Sequence, residues 1–380
     1  MTDHQGRRFR VAYVLLASAF AISGVGCGEP RPYVIGVALD RSALDGVAAA
    51  AQRINARGGI DGHRLVIDTA SGVGGTTARG ALEAAEKFAA DPRILAVIGH
   101  SNSGTSLAAS QVYNTRHVVQ ISPAATSPLY SDAGPYSFRL VGSDVHQAAF
   151  LAGHIARSSA APRAAIMYVN NDYGRPLHDA VVENLRTAGI VPVYVSPFAQ
   201  RDSAGDAEVL DALTRARPTV LMWIGRAFDL QRIARELRVR MPNLLVLASD
   251  AFPGGGARLD SAGLLDGVRH VRLLDLDRAD TVLAGLRASY RKDGRDINDQ
   301  AVLSYDAVNL LAEAIRAMGP DRERIRVWVE QIGMARPVFA GISGSIAFGP
   351  QGDRQPQYFL YVIGKKDDRP LPDSLRQRPR

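Results

Sequence analysis

Cysteine is almost absent from this chain. Its 380 residues hold one, Cys27, so no disulfide can close within it. Long apolar runs are scarce too. The N-terminal run Val11–Val25 has 15 residues, short of the roughly 20 that a helix needs to cross a bilayer. Charge of one sign is also thin where a core would lie. The formal +7 draws on Arg7, Arg8 and Arg10 against Asp3 at one end, and on four Arg against one Asp in Arg369–Arg380, which leaves the body at only +2. No basic face with interleaved aromatics occurs, so a nucleic-acid partner is excluded. No repeat is visible in the sequence either, so any likeness between its halves is one of plan only.

What is present is a regular alternation. Hydrophobic residues make up 46% of the chain, enough for a substantial core, and its length suggests two domains of roughly 150 residues. Tyr33–Leu39 is an apolar run of strand length, a helical pattern follows to Arg57, and His63–Thr69 alternates as a strand does. Ala78, Ala81, Leu82, Ala85, Phe88 and Ala89 then recur at helical spacing until Asp91-Pro92 stops the helix. This β-α-β order implies a parallel sheet covered on both faces. The rhythm restarts after Ser143-Asp144. Strands are expected at Ala164–Val169, Val191–Val195, Val220–Ile224 and Leu244–Ala248, and helices near Asp144–Arg157, Pro176–Ala188, Ala207–Arg215 and Asp229–Val239. Three helices follow between Ala279 and Met334, then two strands, Ser345–Phe348 and Gln357–Ile363. Residues 367–380 show no apolar period and read as a disordered tail.

Residues 1–26 have the three-part layout of an export signal: basic residues, an apolar run and a small-residue end. Cys27 has two readings. It is an incidental thiol of a discarded segment, or it is a lipid attachment site, because Gly24-Val25-Gly26-Cys27 resembles a bacterial lipobox, with Gly24 where a leucine-like residue is usual. The resemblance implies an acylated Cys27 as the first mature residue, a linker over 27–32, and a protein held at a membrane by lipid.

The stretch Ala96–Ser106, AVIGHSNSGTS, also has two readings. A nucleophile elbow needs Gly two residues on either side of its Ser, because the helix packs too closely there for a side chain. Ser101 has Gly99 before it but Ser103 after it, and neither His178 nor His270 is a matched partner. A serine hydrolase is therefore the weaker reading. The other is a binding loop: a helix starting near Ser103 leaves first-turn N–H groups free at the positive end of its dipole, and the Ser103 and Thr105 hydroxyls add donors. In an open α/β sheet such loops gather where ligands bind. A plain helix cap at Ser103 stays open as a third account.

The next segment is Val118-Val-Gln-Ile-Ser-Pro-Ala-Ala-Thr-Ser-Pro128. With Ile54–Gly62, Ser137-Phe-Arg139, Asp172-Tyr-Gly174, Ser304-Tyr-Asp-Ala307 and Gly344–Phe348, it resembles the type I periplasmic binding proteins, and the leucine/isoleucine/valine-binding branch most of all. The resemblance runs from Tyr33 to about Lys365. It implies an α/β protein of two Rossmann-like lobes with parallel-sheet cores and a three-segment hinge, with one lobe from 33–143 plus 275–340 and the other from 144–274 plus 341–366. It further implies a monomer, neither an enzyme nor a user of cofactor or metal. Such a protein captures an amino acid or related small carboxylate outside the cytoplasm for an ABC permease; a ligand-binding sensor has the same fold.

Carried over residue by residue, the resemblance gives Ser103, Ala124, Ala125 and Thr126 the ligand's α-carboxylate and ammonium. Tyr173 becomes an aromatic wall, and Asp250 becomes either the acid facing the ammonium or a helix cap. Two departures stand out. The loop after the first strand is short, Asp40–Gly46, so a wall of the pocket is reduced or supplied by another residue such as Tyr130. Arg226 stands where relatives often carry an aromatic; it is a surface arginine or a cleft cation suited to an acidic ligand group.

Overall fold

The computed structural model describes residues 30–70, 77–199, 205–252, 263–295, 297–364 and 368–371. The first sheet is wholly parallel, with strands β1 (Tyr33–Ala38), β2 (Leu65–Thr69), β3 (Ile94–Gly99), β4 (Val119–Ser122) and β5 (Ser137–Arg139) in the order β2-β1-β3-β4-β5. Helices α1 (Arg41–Ala56), α2 (Ala78–Ala90) and α3 (Ser103–Thr115) connect the first four strands. β1 and β3 are apolar runs, and every residue of β4 is buried, Gln120 and Ser122 included, because helices cover both faces of a parallel sheet. The strand order reverses direction between β1 and β3. Loops that leave their carboxyl ends therefore diverge and open a crevice there.

The second lobe repeats the plan. It holds β6 (Ala164–Val169), β7 (Tyr194–Phe198), β8 (Val220–Ile224), β9 (Leu245–Ala248) and β10 (Arg269–Arg272), joined by α5 (Gly174–Thr187), α6 (Asp206–Ala216) and α7 (Ala227–Arg240), with α4 (Asp144–Ala156) leading in. Its switch point lies between β6 and β8. The chain then returns to the first lobe through α8 (Thr281–Lys292), α9 (Asp299–Met318) and α10 (Arg322–Glu330). A hairpin follows, β11 (Phe339–Gly341) and β12 (Gly344–Ile346). It ends with β13 (Phe359–Ile363) and β14 (Asp368–Pro370), antiparallel at the edge of the second sheet.

Three expectations need correction. Residues from 341 were assigned to the second lobe, but Ile342, Ile346 and Phe348 are buried in the first lobe's core, so the last crossing lies between Phe348 and β13. The tail was expected to be disordered from 367, yet Asp368–Pro370 forms a strand, because the Asp368 carboxylate accepts hydrogen bonds from buried Arg272 and contacts buried His270. Pro is tolerated there since an edge strand leaves one row of N–H groups unpaired. β7 begins at Tyr194, three residues after the expected Val191, which is exposed. Cys27, the signal layout and residues 372–380 lie outside the described residues.

Candidate ligand-binding cleft

The two switch points face each other across a cavity of about 360 Å³, within the roughly 300–1,000 Å³ range of small-molecule sites. The first lobe supplies a set of donors. Asn102 caps α3, its Oδ1 accepting the Thr105 N–H at 3.0 Å, and this leaves the N–H groups of Ser103 and Gly104 with no partner among the described residues. The Ser103 Oγ accepts the Ser127 N–H at 3.2 Å, so its own proton is free to be donated to a ligand. Ser122 ends β4 and turns the chain inward: its Oγ accepts from the N–H groups of Ala124 at 3.3 Å and Ala125 at 3.0 Å. Those two main-chain donors are thus already used. Free donors concentrate at the start of α3, which is also the positive end of the helix dipole.

The second lobe supplies acceptors. Asp250 follows β9, and its Oδ1 accepts from the Tyr173 hydroxyl at 2.6 Å and from Gln147 Nε2 at 2.9 Å. The same Gln147 nitrogen donates to Asp144 Oδ1 at 2.6 Å, so one amide bridges two carboxylates. Asp144 is wholly buried. Burial pushes its carboxyl well up, and the charge of Asp250 pushes it further. Burial likewise raises Asp250. No Lys or Arg forms an ion pair with either acid among the described residues. Asn171 accepts from the N–H groups of Tyr173 and Gly174 and so fixes the turn that aims Tyr173 inward. Gly174 is required there, since a Cβ would lie 2.0 Å from the Val169 carbonyl oxygen.

One further charge pair crosses the cleft. Asp40, after β1, and Arg226, after β8, both line the cavity at the two switch points. Burial raises the Asp40 carboxyl, and the Arg226 guanidinium opposes that rise.

The family described as periplasmic binding protein matches residues 36–367. The chain belongs to the periplasmic binding proteins. Among its relatives, Leu/Ile/Val-binding protein homolog 1 of Brucella abortus is 26% identical over 362 residues, 94% of each chain. An ABC transporter substrate-binding protein of Desulfitobacterium hafniense, solved in complex with Leu, is 25% identical; it superposes with a TM-score of 0.75 over 90% of this chain and 100% of that one. A leucine binding protein of Thermotoga maritima superposes with a TM-score of 0.79 over 89% and 97%; at 20% identity the likeness is one of fold. The family is one of extracytoplasmic solute-binding proteins. No described helix is long and apolar enough to cross a membrane.

Within this periplasmic binding protein, Ser103, Ala124, Thr126, Tyr173, Arg226 and Asp250 line one cavity. Ala125 does not. It is fully buried, with its N–H on Ser122 and its carbonyl accepting from Arg139, so it shapes the loop from behind. Tyr130 supplies no wall either; it is buried, and its ring lies against Arg139. Ser101 reaches the cavity, but its Oγ accepts the Asp40 N–H at 2.7 Å, which is a structural contact between two loops. Neither histidine weighed as a partner faces it: His178 stacks on Tyr168, and His270 meets Asp368. Sequence reasoning missed Asp40 as a site residue, Arg272, and the start of α9, where Gln300 Nε2 donates to the Ser101 carbonyl at 3.3 Å. Asn298, an N-cap residue before a long helical pattern, was the available signal for that last element.

Proposed function

We propose that this periplasmic binding protein captures an α-amino acid with a polar side chain and passes it to an ABC permease without chemical change. The observation that carries the reading is the polarity of the cleft. Free N–H and hydroxyl donors at the start of α3 suit a carboxylate. Opposite them, Asp250 with Tyr173 and Asp144 forms an acidic cluster with no basic ion-pair partner among the described residues, which suits an ammonium. Ser103 and Thr126 thus take the carboxylate and Asp250 the ammonium, with Tyr173 as the wall. Asp40 and Arg226 are left for the side chain. A neutral group with one donor and one acceptor, such as a carboxamide, complements that pair better than an alkyl group, whose burial there would strip water from two charges.

A thermal-shift screen of the twenty L-amino acids tests this. A ligand at 100 times its dissociation constant adds about 2.7 kcal/mol of stability. Glutamine or asparagine is expected to shift the transition more than leucine or valine; a leucine shift exceeding every polar one contradicts the side-chain assignment. A serine-directed fluorophosphonate is expected to leave the protein unlabelled, and labelling at Ser101 would restore the hydrolase.

A further inference from the structure

The loop that faces the cavity after β4 hangs from the hinge. Three successive carbonyls, those of Ala125, Thr126 and Ser127, each accept a hydrogen bond from one end of the first lobe crossing. Arg139 Nη1 donates to Ala125 at 3.0 Å and to Ser127 at 2.8 Å, and the Asp144 N–H donates to Thr126 at 2.8 Å. Arg139 is the last residue of β5 and Asp144 the first of α4, so only residues 140–143 separate the two attachment points.

The rest of the guanidinium holds the third crossing. Its Nε and Nη2 grip Asp353 Oδ1 and Oδ2, both at 2.6 Å, and Nη2 also donates to Ser131 Oγ at 2.5 Å. The backbones of Arg139 and Asp353 pair alongside, and Gly352 is needed there because a Cβ would lie 2.4 Å from the Ser137 carbonyl oxygen. The side chain is fully buried, and all three of its nitrogens donate. A buried ion pair is a weak source of stability, since packed apolar residues often replace one without loss. A two-pronged guanidinium–carboxylate pair does fix two chain segments in one mutual orientation. Peptide groups 125–127 therefore cannot turn without moving the guanidinium, and the guanidinium cannot move without shifting two of the three crossings.

We propose that Arg139 is a positioning residue that couples occupancy of the 124–127 loop to closure of the lobes. The coupling rests on contacts within the protein; the site reading above enters only in naming what fills the loop.

The test is an interlobe distance distribution from spin labels at Leu82 on α2 and Val239 on α7, both exposed, on a Cys27→Ala background. It is recorded alone and with an equimolar mixture of the twenty L-amino acids. Arg139→Lys, which keeps the charge but loses the fork, and Asp353→Asn are each expected to broaden the distribution without additive. Both should also raise at least tenfold the mixture concentration needed to narrow it. Ser131→Ala should act in the same direction but less. A purely structural Arg139 would lower the unfolding temperature while leaving the distribution as in wild type; that result in folded Arg139→Lys and Asp353→Asn overturns the proposal. If Arg139→Lys does not fold, Asp353→Asn decides alone. If the mixture leaves wild type unmoved, the amino-acid reading fails, and the distributions without additive still decide the coupling.

Discussion

The carboxylates of Asp144 and Asp250 share one amide donor, Gln147, in a site that burial makes hostile to negative charge. The groups facing Asp144 are Asp250 through that amide, the Thr126 hydroxyl, Arg139, Tyr173 and Tyr358. Its folded value stands above the ordinary 3.8 of the unfolded chain. Its contribution to stability is therefore complete below that value and is lost as pH rises through the folded one. The difference in unfolding free energy between wild type and Asp144→Asn should accordingly shrink, or change sign, as pH is raised from about 4 toward neutrality. Other acids shift the opposite way, such as Asp91, lowered to about 2 by its hydrogen bonds with Arg93, so this difference isolates Asp144 from them. Chemical denaturation of both proteins across that range checks it, and a pH-independent difference would contradict the assignment. At this scale the sequence revealed residue types better than their directions. Ser103 and Asp250 follow strands and could be placed at a sheet end, whereas Ala125 is fully buried behind the loop with its carbonyl held by Arg139, a contact that no periodicity encodes.

Helix α3 carries the anion side of the cleft, and its first turn ranks the two serines of the opening loop. Ser103 accepts the Ser127 N–H and keeps its proton for a ligand, while Ser101 accepts the Asp40 N–H and its hydroxyl also hydrogen-bonds the Asp40 carboxylate. A hydrogen bond to a charged group contributes about 1.5–3 kcal/mol, so Ser103→Ala is expected to weaken amino-acid binding about ten- to a hundredfold, and Ser101→Ala much less. Isothermal titration checks the order, and the reverse order would favour a site centred on Ser101. Elements with unbroken apolar runs, such as β3 and β8, were legible in the sequence because burial on both faces leaves no other composition. β10 was hidden. Its Arg269-His-Val-Arg272 looks polar, and it is buried only because Asp299 and Asp368, 27 and 96 residues further on, return to satisfy Arg272. β14 was hidden for the same reason. Pairing between distant segments, not local propensity, makes both of them strands.

Over the whole molecule, two parallel-sheet lobes set their switch points face to face, and the chain passes between them three times. The two parallel-sheet lobes were legible in the alternation of strands and helices, whereas the three crossings were what the family resemblance implied. The last boundary was misjudged because the β11–β12 hairpin buries Ile342 and Ile346 in the first core. We propose that Cys27 is acylated and holds the protein at a membrane. Wild type is then expected in the detergent phase and Cys27→Ala in the aqueous phase or uncleaved, and a lipid-free wild-type product cut elsewhere would refute the anchor. The central claim is that the lobes divide the two charges of an amino acid, carboxylate to α3 and ammonium to Asp250. The most direct measurement is a titration of L-glutamine and of its deaminated analogue into wild type and Asp250→Asn. Wild type should prefer the amino form by roughly ten- to a hundredfold, the range of one charge-assisted hydrogen bond, and Asp250→Asn should lose most of that preference while binding the deaminated acid about as wild type does. An undiminished preference in Asp250→Asn would contradict the account.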